Sequence, residues 1–383
     1  MNYFLFTISL LFIVLFNTKI PDSMGFGKIS TIANIPMLIF IGINIFTKKM
    51  QYEKTSIFVI IFAIITILFK WSNGQNYISE VIIFLIVPML ISMCFEVLPK
   101  KELTLLRNIM LIFYIAECGL AIVEWTLNRH FFFTTGGSEF WINQGFFKSC
   151  SLLGSPLLNA QFVAVSMSFI AISDFGKKYF KIILFFLGYV SFFCFNARGS
   201  TLVITFITVP YFIWKLNKIT PQKKKWLIKV GLLILFSGMI YAVTQTSLGG
   251  RLMGGKLMDD SSQTRLEVFQ FYKYYQSQDD FLWGNPDNYI YMMNKLGNAG
   301  VENGVITLIL DYGIILTIPM LILLFRFQYN KLSAFSKLEK WLMLAVFFII
   351  GTMNPNLAAP VLWLMWVLQY YAFRPDIFHQ QTR

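Results

Sequence analysis

Long apolar runs alternate with short polar connections along this chain. The pattern predicts spans at 3–18, 29–46, 55–70, 78–98, 108–127, 156–173, 182–196, 200–214, 230–246, 303–326, 341–353 and 359–373. Helices are expected because, in hydrocarbon, every backbone N–H and C=O must find a partner within its own segment. Several runs fall short of the roughly 20 residues of a straight span, and 182–214 reads either as two spans or as a broken, re-entrant pair. The first run, Tyr3 to Phe16, has neither a basic leader nor a small-residue cleavage site and reads as a mature span. Two polar stretches, 128–155 and 247–302, are too long to be turns, and loops of that length are usually functional. In the second, Leu266, Phe269, Tyr272 and Tyr275 recur every third residue and predict an amphipathic helix. Trp283, Gly284, Asn285 and Pro286 then stop it. The expected fold is all-α, a polytopic transmembrane helical bundle of about 12 spans forming one integral membrane domain over 1–383.

Composition agrees with this pattern. Only 13% of residues are charged, about half the share of a soluble domain. The net charge of +13 would suit a nucleic acid, but the cations sit in clusters between apolar runs. With the N-terminus inside, 21 of the 32 Lys and Arg fall in cytoplasmic connections, and five of the remainder lie in the 247–302 loop. That asymmetry predicts an N-in, C-in protein of the cytoplasmic (inner) membrane, with both long loops on the outer face, and no nucleic-acid partner. The four cysteines are dispersed, with no CxxC pair. This gives no zinc framework and leaves Cys150 as the one exposed thiol, in the first outer loop. The long loops are unequally placed and no internal repeat is visible, which argues against a two-halved secondary transporter.

Three outer arginines stand out. Arg198 lies between two very apolar segments, where a lone cation is costly unless it faces protein, water or an anion. Its planar fork suits phosphate oxygens, and a carboxylate-paired or snorkelling arginine fits the position equally well. Arg251 and Arg265 belong to the long loop, where a solvated charge is the plainer reading of each. Glu302 and Asn303 open the tenth span. Glu302 is either a helix-terminal cap or a general base. Asp311 lies within the same span. Glu117 and Glu124 share a face of the fifth span, where a sugar, a cation or a paired arginine fits. Trp283 and the other loop aromatics form an interfacial belt or stack on sugar rings. The outer loops contain no HExxH or DxD-like pair, and the chain no nucleotide-binding glycine motif, so neither metal nor cofactor is expected.

Three stretches together resemble the bacterial O-antigen polymerase and O-antigen ligase superfamily of Wzy-type proteins. They are LLGSPLLNAQFVA at 152–164, NARGST at 196–201, and the succession SQTRLEVFQFYKYY, FLWGNP and ENGVITLILDYGIIL. Asn303 is followed ten residues later by Gly313, as in that family's pattern. Glu302 stands where ligases typically carry histidine, and plain Ile and Leu follow Gly313, which favours a polymerase over a ligase. The resemblance implies a metal-independent glycosyltransferase that joins polyprenyl-diphosphate-linked oligosaccharide repeats into a surface polysaccharide. It implies that Arg198 and Arg265 hold the diphosphate, that Arg251 assists and that Glu302 activates the acceptor. Asn303, Asn196 and Trp283 would contribute to substrate binding. A chain-length regulator and a flippase are the partners it implies. Ligase-type transfer to a lipid or protein acceptor, and a lipid-linked oligosaccharide flippase, are the alternative readings.

Overall fold

In the computed structural model, residues 2–23, 35–47, 49–75, 78–132, 134, 147–219, 277–285 and 303–375 are described. Among them the protein is all-helical. The elements are α1 (Asn2–Phe16), α2 (Ile20–Ser23), α3 (Ile35–Phe46), α4 (Lys54–Ser72), α5 (Ile78–Phe95), α6 (Lys100–Leu127) and α7 (Pro156–Ile172). They continue with α8 (Lys178–Phe195), α9 (Arg198–Lys218), α10 (Gln278–Trp283), α11 (Gly304–Lys331), α12 (Lys337–Met353) and α13 (Pro360–Phe373). The described parts of the predicted spans are helical over most of their length. Residues 29–34 of the second span and the span at 230–246 lie outside the described residues, as does the predicted amphipathic helix around 266–275. Six helices among the described residues, α4, α5, α6, α8, α9 and α11, are long and apolar enough to cross a membrane. Shorter apolar helices accompany them, and the chain is a multi-pass membrane protein.

The burial pattern of α4 fits lipid as its solvent. Its inward face is Thr55, Ser56, Val59, Ala63, Thr66 and Lys70, while Phe58, Ile61, Ile65 and Leu68 are exposed. Water would drive the large apolar side chains inward. In a bilayer they are content outside, and small or polar residues make the helix contacts. The middle of the bundle is held by α7 and α13, whose residues 159–172 and 362–373 are buried all round. Their limited length is no obstacle, because they pack on other helices rather than on lipid. In α5 and α9 a wider π-helical turn, Ile82–Ile86 and Ile204–Thr208, comes just before Pro88 and Pro210. Proline has no N–H to give to the preceding turn, and local widening is one way a helix accommodates it.

Short connections reverse the chain, so the bundle has two ends. One gathers residues 147–155, α10 and the starts of α9 and α11, and is called here the loop end. The other, the basic end, is laced by two ionic networks. Lys331 Nζ lies 2.7 Å from Glu53 and 2.6 Å from Glu96, and donates to Tyr371 Oη at 2.9 Å. Arg374 reaches the second oxygen of Glu96 at 2.9 Å. Burial opposes ionisation of Glu96, but Lys331, Tyr371 and Arg374 outweigh it and hold the carboxyl below its ordinary range. In the second network Lys215 meets Asp174 at 3.0 Å and Glu339 at 3.5 Å, while Tyr211 donates to Glu339 at 2.5 Å. Each network joins helices that are far apart in sequence.

The 182–214 segment resolves into two helices, α8 and α9, separated by a turn at Asn196 and Ala197. Asn196 takes the left-handed conformation (φ 53°) that closes α8, a role asparagine tolerates better than most residues.

Candidate functional site at the loop end

Two carboxylates within α6 set the first part of this end. Glu124 is fully buried and accepts Ser149 Oγ at 2.6 Å, Cys150 N and Ser151 N at 2.9 Å, and Phe131 N at 3.1 Å. His130 Nδ1 lies 3.7 Å from the same carboxylate, with its ring stacked on Phe147. Glu117, two turns earlier, accepts Leu152 N at 3.2 Å, and its backbone oxygen accepts Ser151 Oγ. Where an arginine is one open reading of the sequence, main-chain amides meet both carboxylates. A buried carboxylate needs donors rather than a specific cation, and a chain segment turning into the bundle offers several N–H groups at once. Asn159 Nδ2 donates to Cys150 O, and Ser149 N donates to Cys194 O at 2.9 Å, tying the loop to α7 and to the end of α8. Cys150, expected to be exposed, is buried at 1% exposure, and burial pushes its thiol pKa up.

Arg198 begins α9 beside this loop and is half-buried. A Cβ on the next residue, Gly199, would lie 3.3 Å from Met353 Sδ, at the end of α12. Asn303 caps α11 by accepting Val305 N and Ile306 N, both at 3.1 Å. It thereby takes a capping role of the kind considered for Glu302. A Cβ on Gly304 would overlap Gly351 O and crowd Leu357, so only glycine lets α11 approach α12 this closely. Arg198 and Asn303, more than a hundred residues apart in sequence, therefore flank the same end of α12. Several buried polar atoms near it have no hydrogen-bond partner among the described residues: both side-chain polar atoms of Asn196, Ser200 Oγ, Gln161 Oε1 and Asn356 Nδ2. Gln161 Nε2 donates to Phe347 O and abuts Gly351. An orphaned group costs about 1–3 kcal/mol if nothing meets it, so these atoms are open to a polar ligand; other such atoms, those of Gln328 and Ser173 among them, lie elsewhere in the bundle.

The third part is a break in α11. Gly313 has φ 74° and ψ 163°, so the expected continuous tenth span is two helical segments. A break inside lipid frees carbonyls that must be satisfied. Leu308 O accepts Thr317 Oγ1 at 3.0 Å, Leu310 O accepts Asn285 N at 2.9 Å, and Asp311 O accepts Lys70 Nζ at 2.8 Å. Lys70 is 1% exposed and donates also to Trp283 O at 2.7 Å and Gly284 O at 3.1 Å. Gly284 (φ 74°) sits directly on Gly313, where a Cβ on either would overlap the other's backbone. Thus α10 and the Trp-Gly turn are seated in the break of α11, with the Lys70 ammonium as the clamp. Trp283 lays its ring on Phe69 with centroids 5.0 Å apart and remains 40% exposed.

The structure therefore brings Arg198, Asn196, Asn303 and Trp283 to one end of the bundle. Glu302, Arg265 and Arg251 lie outside the described residues. Sequence reasoning missed Lys70, whose signal was a lysine closing an otherwise apolar run. It also missed the amides Gln161 and Asn356, which carry no local pattern. Asp311 enters through its backbone oxygen. Comparison of the chain with protein-family models, with curated proteins and with solved structures finds no match.

Proposed function

We propose that this protein is a polysaccharide polymerase that transfers oligosaccharide repeats between polyprenyl diphosphate carriers at the outer face of the cytoplasmic membrane. The loop end is then external, with N- and C-termini inside. The observation that carries the reading is the placement of Arg198, Asn196 and Asn303 around one end of α12, near buried polar atoms that have no hydrogen-bond partner among the described residues. A diphosphate at headgroup level is held by a guanidinium fork, and buried amides and hydroxyls match the hydroxyl groups of a sugar.

In the proposed reaction an acceptor sugar hydroxyl attacks the anomeric carbon of the donor repeat. A new C–O bond forms as the C–O bond to the diphosphate breaks. The hydroxyl proton passes to the Glu302 carboxylate, next to the Asn303 cap. The leaving polyprenyl diphosphate gains negative charge, which Arg198, with Arg265 and Arg251 from the long loop, stabilises more strongly in the transition state than in the ground state. The lipid reaches the site sideways between helices.

The test is polymerisation in vitro with a purified lipid-linked repeat. Arg198→Ala and Glu302→Gln each lower turnover by about a hundredfold or more, while chain folding, followed by circular dichroism, is retained. Full activity in both variants removes the reading. In cells, loss of the gene abolishes the polymer ladder and leaves single-repeat caps. Loss of all capped material indicates ligase or flippase chemistry instead.

A further inference from the structure

A cavity of about 430 Å³ opens at the basic end, between the start of α4 and the last turns of α11. It is remote from the loop end, so what it binds is independent of the reaction proposed there. Lys54 and Arg326, one from each helix, line it together with Glu53, Phe58, Leu323 and Asn330. Among the described residues neither Lys54 nor Arg326 forms an ion pair. The one acid in the lining is already engaged. Glu53 is 2.7 Å from Lys331 and accepts Thr55 Oγ1 and Ser56 Oγ at 2.9 and 3.2 Å. With Glu53 paired to Lys331, Lys54 and Arg326 are two cations of the cavity without a counter-ion among the described residues.

The wall beyond these charges is apolar. Phe58 is 58% exposed, and the outward surface of α4 and α11 continues along the bundle with exposed Ile61, Ile65 and Ile322. Two cations at the mouth of a groove that continues into hydrocarbon match an anionic head carried on an acyl chain. They match less well a free anion, which gains nothing from the apolar wall, or a zwitterionic head, which brings a cation of its own. Basic pockets between helices near the membrane surface are suited to such heads.

We propose that this cavity seats an anionic glycerophospholipid of the leaflet at the basic end. Lys54 and Arg326 hold its phosphodiester and an acyl chain lies along Phe58 and Leu323. The test is native mass spectrometry of the full chain in neutral detergent, titrated with phosphatidylglycerol, with phosphatidylcholine and with inorganic phosphate. Wild type retains phosphatidylglycerol in preference to phosphatidylcholine, and millimolar inorganic phosphate does not displace it. Lys54→Gln/Arg326→Gln weakens phosphatidylglycerol binding about fivefold per cation removed. Lys100→Gln/Lys337→Gln, which changes net charge equally outside the cavity, leaves it unchanged. The single Arg326→Gln gives the same comparison with the milder change. Equal weakening in the two double variants, or equal retention of the two lipids, overturns the proposal. Displacement by inorganic phosphate makes the cavity a free-anion site and overturns it as well.

Discussion

Lys70 shows how a single charge can hold a membrane loop. A lysine at the edge of hydrocarbon is costly alone. Here three carbonyls from two distant segments receive its ammonium, and those carbonyls have few other donors. Lys70→Met should lower stability by about 2–4 kcal/mol, since it leaves buried acceptors unpaired. Amide hydrogen exchange should rise in 277–285 and around the break of α11. Unchanged protection of both segments would disprove the clamp. Glu124 plays the complementary part, one carboxylate gathering several amides. Glu124→Ala should loosen residues 147–152, and Glu124→Gln, which keeps one acceptor oxygen and the shape, should do so less. The order of thermal midpoints, wild type above Gln above Ala, checks this.

At the scale of the element, α11 matters most. Its break is specified by Gly313, by the glycine opposite it at 284, and by donors for the freed carbonyls. Gly313→Ala combines a positive φ with direct overlap on Gly284, and should cost about 3 kcal/mol or more. The loss should appear as a lowered thermal midpoint together with α10 becoming accessible to protease. A stable variant with α10 still docked would mean that α11 can be straightened. The ends of α4, α5, α11 and α13 are joined by Lys331, Glu53, Glu96 and Arg374. The Glu96 carboxyl is depressed in the folded protein, so its contribution is fully present above the ordinary carboxylate range. It is lost as pH falls through the depressed value. Wild type should therefore lose stability on acidification into and below that range, and Glu96→Gln, weaker at neutral pH, should show a flatter acid limb. Parallel pH profiles of thermal midpoint for the two proteins would contradict this.

The described residues form a bundle with two unlike ends, and topology mapping tests which side of the membrane each faces. Among its cysteines, Cys94, Cys118, Cys150 and Cys194 are all buried, so the wild type should react slowly with a membrane-impermeant maleimide. A cysteine placed at Gln278, exposed in α10, should react from outside intact cells. One at Lys337, exposed at the basic end, should react only after permeabilisation. The reverse labelling pattern would place the loop end in the cytosol and remove the proposed reaction with it. Buried α7 and α13 fill the middle of the bundle, below amide atoms that have no partner among the described residues.

The sequence alone established the membrane-helical class, because sustained apolar runs and clustered cations are local signals that lipid and membrane orientation act on directly. It also singled out Asn303, Gly313 and the Asn196–Arg198 turn through the resemblance they carry, but the capping role of Asn303 and the break at Gly313 came only with the structure. The tertiary structure alone decided that Glu124 and Glu117 bind loop amides rather than arginine and that Cys150 is buried. It likewise decided that Lys70 closes on carbonyls more than two hundred positions away. The physical reason is the same in each case: a buried polar group accepts any well-placed partner, and only the packed bundle determines which one arrives.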